Sequence, residues 1–285
     1  MIVKMKIIAN IARFILIIIL TVCIIAIGTI QIVSSTILDK NYIISKLEET
    51  NFYEETYNLV ENNFENYIHQ SGLEETALKD ICSKEKVKQD INLMLSNIYE
   101  GANKKIDTTE IKDNLNKNID NLKVRNRQNS SAIDQFVNHI CEEYESTLIH
   151  TDYENRINEV YVKVTNILNK VRIATIIAMA VDVVLLIIVN IKKISKFVQA
   201  IGVTLLSSSL FEIIAYQIVT SKVDIAGIKI FNDTFSKTIV TIAQDVLNKV
   251  KTLGIISLII AVVFIIIYAV IVAITKKENS KGTKE

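Results

Sequence analysis

The sequence predicts an all-α fold: a four-transmembrane-helix bundle with an all-helical extracytoplasmic domain inserted between spans 1 and 2. Three observations predict it. Four apolar runs, Phe14–Val33, Ile173–Ile191, Phe197–Thr220 and Leu253–Thr275, each exceed the ~18 residues at which a membrane span becomes the default reading. The chain of 285 residues has no proline, so nothing forces a helix to break. Basic side chains collect in short segments beside the apolar runs, whereas the long stretch between the first two runs is acidic.

Residues 1–13 form a basic N-terminus with Lys4, Lys6 and Arg13 and no acid. Residues 14–38 are the first span. It reads as retained rather than as a cleaved signal, because the apolar run continues to Val33 and no small-residue cleavage site follows. Residues 172–191 and 197–220 are the second and third spans, joined by the turn 192–196 with Lys192, Lys193 and Lys196. Residues 253–275 are the fourth span, and the tail 276–285 carries Lys276, Lys277, Lys281 and Lys284. The three basic patches hold 10 basic and 2 acidic residues, against 16 basic and 24 acidic in 39–171. The positive-inside rule weighs short segments next to span ends. Both termini and the short turn are therefore expected in the cytoplasm of a multi-pass cell-membrane protein, with 39–171 and 221–252 outside.

The outer segment 39–171 is large enough to bury a core of its own. Breaks between its helices must come from caps and glycine. Asn51 with Glu54, Ser71 with Glu74, Asp107 with Glu110, Ser131 with Asp134 and Thr151 with Glu154 each pair a capping residue with an acid three positions on. Gly72 and Gly101 read as helix stops. The expected helices cover 40–50, continuing the first span, then 52–70, 73–82, 84–100, 108–126 and 132–149. Three apolar stripes support them: Ile111, Leu115, Ile119 and Leu122; then Ile133, Phe136, Val137, Ile140, Tyr144 and Leu148; then Phe52, Tyr57, Val60, Phe64 and Tyr67. Core packing is the reading of all three, ahead of a groove for a partner helix.

From Asp152 to Asn190 there is no stop signal. One stalk helix about 60 Å long is expected, through Ile157, Val160, Val164 and Ile167 into the second span. After Gly227, Asn232 is expected to cap a helix entering the fourth span. Its face of Phe235, Ile239, Ile242, Val246 and Val250 is expected to pack on the stalk rather than lie on lipid.

The sharpest residues are two acids inside the spans, Asp182 in the second and Glu212 in the third. A charge at mid-bilayer costs at least ~2.5–3.5 kcal/mol, so such residues normally face the bundle interior. Thr204, Ser208, Glu212 and Tyr216 recur every four residues and share one helix face. Two readings of this intramembrane polar seam stand. In one, small residues permit close packing and Asp182 donates a hydrogen bond to a serine across the interface. In the other, Asp182 and Glu212 form a proton or cation site, or dock a partner's membrane helix.

Cys82 and Cys141 lie in the outer domain and are the candidate disulfide; two buried free thiols are the competing reading. Cys23 is a small apolar filler of the first span. Of the histidines His69, His139 and His150, only His139 has an acid, Glu143, at i, i+4, and no metal-binding pattern accompanies it. Seven glycines provide no phosphate-cradling loop, and the outer lysines are interspersed with acids. Neither cofactor nor nucleic-acid binding is expected.

The stretch Asn41–Tyr53, with Ser71-Gly72-Leu73 and Lys84–Ile91 after it, resembles the start of the outer domain in uncharacterised four-span membrane proteins of Gram-positive bacteria. A composition rich in Ile, Lys and Asn agrees with an AT-rich genome. The layout is also similar to that of FtsX-type permease-like proteins, which regulate cell-wall hydrolases with a cytoplasmic ATPase. The short turn here leaves little to dock an ATPase. The expected function is non-enzymatic: a cell-envelope protein in the lipid bilayer whose outer domain binds a protein or surface partner, or a second copy, and relays a signal through the bundle. The alternative is a small transporter or transport-complex accessory subunit using Asp182 and Glu212.

Overall fold

The computed structural model describes residues 2–71, 74–122, 130–148, 151–191, 193–230 and 232–281. The described residues are helical and contain no strand. In order they form α1 (Ile2–Ser34), α2 (Lys40–Glu49), α3 (Phe52–Ser71), a 3-10 turn (Glu75–Ala77), α4 (Lys84–Glu100), α5 (Thr109–Asn121), α6 (Ser130–Leu148), α7 (Thr151–Asn190), α8 (Ile194–Lys222) and α9 (Asp233–Lys281). Several expectations fall outside the described residues or side chains. These are Gly72, the Ser71–Glu74 and Thr151–Glu154 caps, His69, His150, residues 123–126, Lys192, Lys4, Lys6 and the residues after Lys277.

The chain divides into two compact units. One is apolar and comprises α1, residues Thr165–Ile228 and α9 from Ile242 onward. Four helical segments, Ile7–Ser34, Asn155–Asn190, Ile194–Lys222 and Asp233–Lys277, are long and apolar enough to cross a membrane. Side chains such as Phe14, Ile177, Phe211 and Ile266 are 57–64% exposed, a display that water-soluble proteins avoid and lipid favours. Leu16 and Leu20 of α1 pack on Leu186 of α7 and Ala200 of α8. On the other side of α8, a Cβ added at Gly202 would stand 3.3 Å from the Phe264 Cβ, so glycine brings α8 close to α9.

Four cations bracket this unit. Arg13 Nε donates to Asn190 Oδ1 at 2.8 Å, and Arg172 Nη2 donates to Ser34 Oγ at 2.8 Å, tying α1 to α7 at both ends. Lys196 stands 5.8 Å from the Tyr268 ring, and Lys251 stands 5.1 Å from the Tyr216 ring, doing the same for α8 and α9. At 1.5 Å per residue the ties on each helix are about 25–32 Å apart, the thickness of a bilayer's hydrocarbon core.

The second unit, Ile37–Val164 with Lys229–Thr241, has a conventional core. Ile111, Leu115 and Ile119 of α5 are fully buried against Ile133, Val137, Ile140 and Tyr144 of α6 and Val60 and Phe64 of α3. The three predicted stripes thus pack mainly on one another. Ser83 caps α4 by accepting from Lys86 N at 3.1 Å, and Gly101, at φ 65°, ends the helix where predicted.

Three expectations fail for nameable reasons, whereas α7 is the single unbroken helix expected from Asp152 to Asn190. Residues 40–50 do not continue the first span: α1 stops at Ser34, and Asp39 caps a new helix by accepting from Asn41 N at 2.9 Å. Of the expected helix 73–82, residues 74–82 form only a 3-10 turn and bends, and α5 satisfies carbonyls there. Asn118 Nδ2 donates to Ala77 O at 3.1 Å and Lys79 O at 2.8 Å, Asn114 Nδ2 donates to Ile81 O, and Asp80 takes a φ of 55°. Phe235 packs edge-on against Phe52 at 4.9 Å rather than on the stalk. On α7, Asn158 and Tyr161 meet Ile98 and Tyr99, while Ile157 and Val160 stay exposed.

A charged group lies inside this core. Lys86 Nζ is 2.6 and 2.7 Å from the two Asp90 oxygens, and the buried Tyr144 hydroxyl donates to Asp90 at 2.6 Å. Burial and the Asp90 carboxylate push the Tyr144 phenol far above its ordinary range. Asp90→Ala should strand the Lys86 ammonium and cost about 3–5 kcal/mol. Tyr144→Phe, which removes one bond to a charged acceptor, should cost about 1.5–3 kcal/mol. Denaturant unfolding of the full chain in detergent checks this order, and equal losses would contradict it.

Candidate functional site: a carboxyl junction in the apolar unit

The seam predicted on the third span exists as a column on α8. Thr204 and Ser208 are fully buried, Glu212 is 4% exposed and Tyr216 is half-buried. Asp182 on α7 is 2% exposed. The predicted bond from Asp182 to a serine is not made. Ser208 Oγ donates to Leu205 O at 3.0 Å, and Ser209 Oγ donates to Leu206 O at 2.8 Å. A helical serine always has a backbone carbonyl of its own preceding turn within reach, and here that local bond wins. Both oxygens of Asp182, both oxygens of Glu212 and Oγ1 of Thr204 are buried without a hydrogen-bond partner among the described residues.

The structure therefore does not join Asp182 to Glu212, and their surroundings differ. Asp182 is beside the apolar cluster of Met179, Val183 and Leu186, within electrostatic range of the Cys23 thiol of α1. Glu212 occupies a three-helix junction built by glycine. A Cβ added at Gly28 of α1 would lie 3.7 Å from Glu212 Oε1 and 2.5 Å from Leu253 Cδ2. One added at Gly254 of α9 would lie 3.1 Å from Glu212 Cβ, 3.0 Å from Ile213 Cγ1 and 3.3 Å from Ser209 O. The missing side chain at Gly28 leaves room for Leu253, and the one at Gly254 leaves room for Ile213 and the stem of Glu212. Sequence reasoning missed Gly28 and Gly254, although Gly254, Ser257 and Ala261 repeat small residues on one face of the fourth span.

One turn further along α8, Tyr216 carries Lys251 over its ring and lines a cleft of about 580 Å³. Thr220, Asp224, Gln244 and Asn248 complete its polar wall. The turn beneath it needs glycine at 227, since a Cβ there would meet Asp224 Oδ2 at 2.3 Å.

The remaining predicted candidates sit in the helical domain. Cys82 and Cys141 are both buried free thiols. Burial pushes the Cys82 thiol up to about 12, so it is protonated and unreactive at neutral pH. Burial also raises Cys141, against a lowering hydrogen bond from Thr108. His139 packs edge-on against Tyr67 at 4.7 Å, and Glu143 accepts from Tyr67 Oη at 3.0 Å and Asn63 Nδ2 at 3.3 Å. Among the described residues no three metal-ligating side chains come together.

Gly254→Ala should destabilise the apolar unit by about 1–3 kcal/mol, because backbone and stem atoms, which cannot swing away, surround the added methyl. Gly202→Ala meets its neighbours at 3.3 Å or more and should cost less. Thermal unfolding in detergent separates the two, and a larger loss at Gly202 would refute the tight junction. Comparison with protein families, curated proteins and solved structures finds no match to this chain.

Proposed function

We propose that the chain is a non-enzymatic, multi-pass protein of a bacterial cell membrane, with both termini cytoplasmic. In this reading the helical domain lies outside, binds a protein or surface partner, and relays that event into the bundle. The observation that carries it is α9. Its first turns belong to the domain core: Phe235 stacks on Phe52, Thr238 shares a 2.8 Å hydroxyl pair with Thr50, and Lys237 pairs with Glu55 at 2.8 Å. The same helix continues without interruption to Gly254, against Glu212. In this reading partner binding at α2 and α3 is passed along this continuous helix to the segment beside Glu212. The relay reading takes Glu212, whose oxygens have no hydrogen-bond partner among the described residues, as the element that changes state. The excess of lysine and arginine in residues 1–13, 192–196 and 276–285 supports the orientation.

Two outcomes are expected. In intact cells a membrane-impermeant maleimide should modify Lys105→Cys and leave Lys276→Cys untouched until the membrane is opened; the reverse pattern would invert the orientation. In-cell crosslinking of the tagged chain should yield a partner attached through residues 39–148, whose binding changes hydrogen exchange around Gly254. Phe235→Ala should keep the partner and abolish that change. If no partner is captured, or exchange at Gly254 is indifferent to it, the relay reading is wrong.

A further inference from the structure

We infer that Glu212 is a proton-binding site served from the Tyr216 cleft, so that the bundle takes up and releases one proton at the Gly28–Gly254 junction. Three observations support it independently of the relay. The carboxyl is buried, and neither oxygen has a hydrogen-bond donor among the described residues. A carboxylate in apolar surroundings without donors or a counter-charge is too costly to persist, so its negative charge must be neutralised by something it binds. At the Gly28 side the carboxyl is not crowded, since even an added Cβ there would meet Glu212 Oε1 only at an ordinary contact distance of 3.7 Å.

The chemistry of the surroundings selects the proton. Hard metal cations take about six or more oxygen ligands. Neither Glu212 oxygen has a hydrogen-bond partner among the described residues, and the Ser208 and Ser209 hydroxyls are engaged as donors to their own helix. A proton needs no such shell. The same unit carries Arg13 and Cys23 on α1, Arg172 and Asp182 on α7, Lys196 and Tyr216 on α8, Asp224 after it, and Asp245, Lys249, Lys251 and Tyr268 on α9, and none of them bonds to Glu212. Tyr216 is the route. It stands one turn from Glu212 on the same face and lines the cleft with Thr220, Gln244 and Asn248, polar groups able to hold water. Asp182 is likewise buried without a hydrogen-bond partner among the described residues, and it is not among the residues lining the Tyr216 cleft, so it serves as an internal comparison.

The test is dicyclohexylcarbodiimide labelling of the full chain in liposomes, read by mass spectrometry of the peptide containing Glu212. The protonated carboxyl adds across one C=N bond, its oxygen to carbon and its proton to nitrogen. The O-acylisourea then rearranges to a stable N-acylurea, and nothing leaves. Label is expected on Glu212, falling about tenfold per pH unit once the proton is half lost. Excess sodium should leave the rate unchanged. The label should disappear in Glu212→Gln and persist in Asp182→Asn, and Tyr216→Ala should speed it severalfold by widening the route. Labelling that sodium suppresses would replace the proton with an alkali cation. No label on Glu212 at any pH, or label on Asp182 alone, would overturn the site. The wild-type readings stand even if a variant fails to fold.

Discussion

An acid in an apolar bundle is tolerated only where neighbouring helices close around it, and that requirement governs how α1, α8 and α9 meet. Glu212 cannot reach water at its own depth, and it finds no donor. The two helices facing it carry glycine beside it, at Gly28 and Gly254. With those glycines in place, Leu253 and Ile213 fill what remains, and the helices approach more closely than any larger residue would permit. The Ser208 and Ser209 hydroxyls bond within their own helix and so do not satisfy the carboxyl. The junction is thus tight in space and short of hydrogen bonds, a combination that stores a preference for change.

The helical domain solves the opposite problem. It too buries a carboxylate, Asp90, but surrounds it with an ammonium at 2.6 Å and a phenol at 2.6 Å. Cys82, beside this group, stays protonated through burial. One acid has two hydrogen-bonding partners within the core; the other has none among the described residues. The same chain therefore shows both ways in which burial can treat a charge.

Elements governed by local rules are legible in the amino-acid sequence. The four apolar helices follow from hydropathy, the end of α4 from Gly101, and the faces of α5 and α6 from their periodicity. What escapes such rules depends on partners far along the chain. The segment around Glu75–Ala77 has carbonyls satisfied by Asn114 and Asn118, more than thirty residues later. Asp39 is hidden as a cap because the apolar run before it suggests continuation. At the candidate site, Asp182 and Glu212 stand out as charges in apolar runs, but their separation does not, since depth along a helix says little about which neighbour an acid faces. Gly28 and Gly254 carry no chemistry of their own and become meaningful only through what fills the space beside them.

The four cationic ties around the apolar unit have a mechanical consequence. Arg13, Arg172, Lys196 and Lys251 each hold a side chain of a neighbouring helix at one margin of the unit. A bilayer whose hydrocarbon matches the ~25–32 Å between them leaves every tie relaxed. A thicker one drags guanidinium and ammonium groups toward hydrocarbon, and a thinner one exposes isoleucine to headgroups, each at a fraction of a kcal/mol per Å. The unit is in effect a gauge of membrane thickness. Lipid composition would set the tension under which its helices sit.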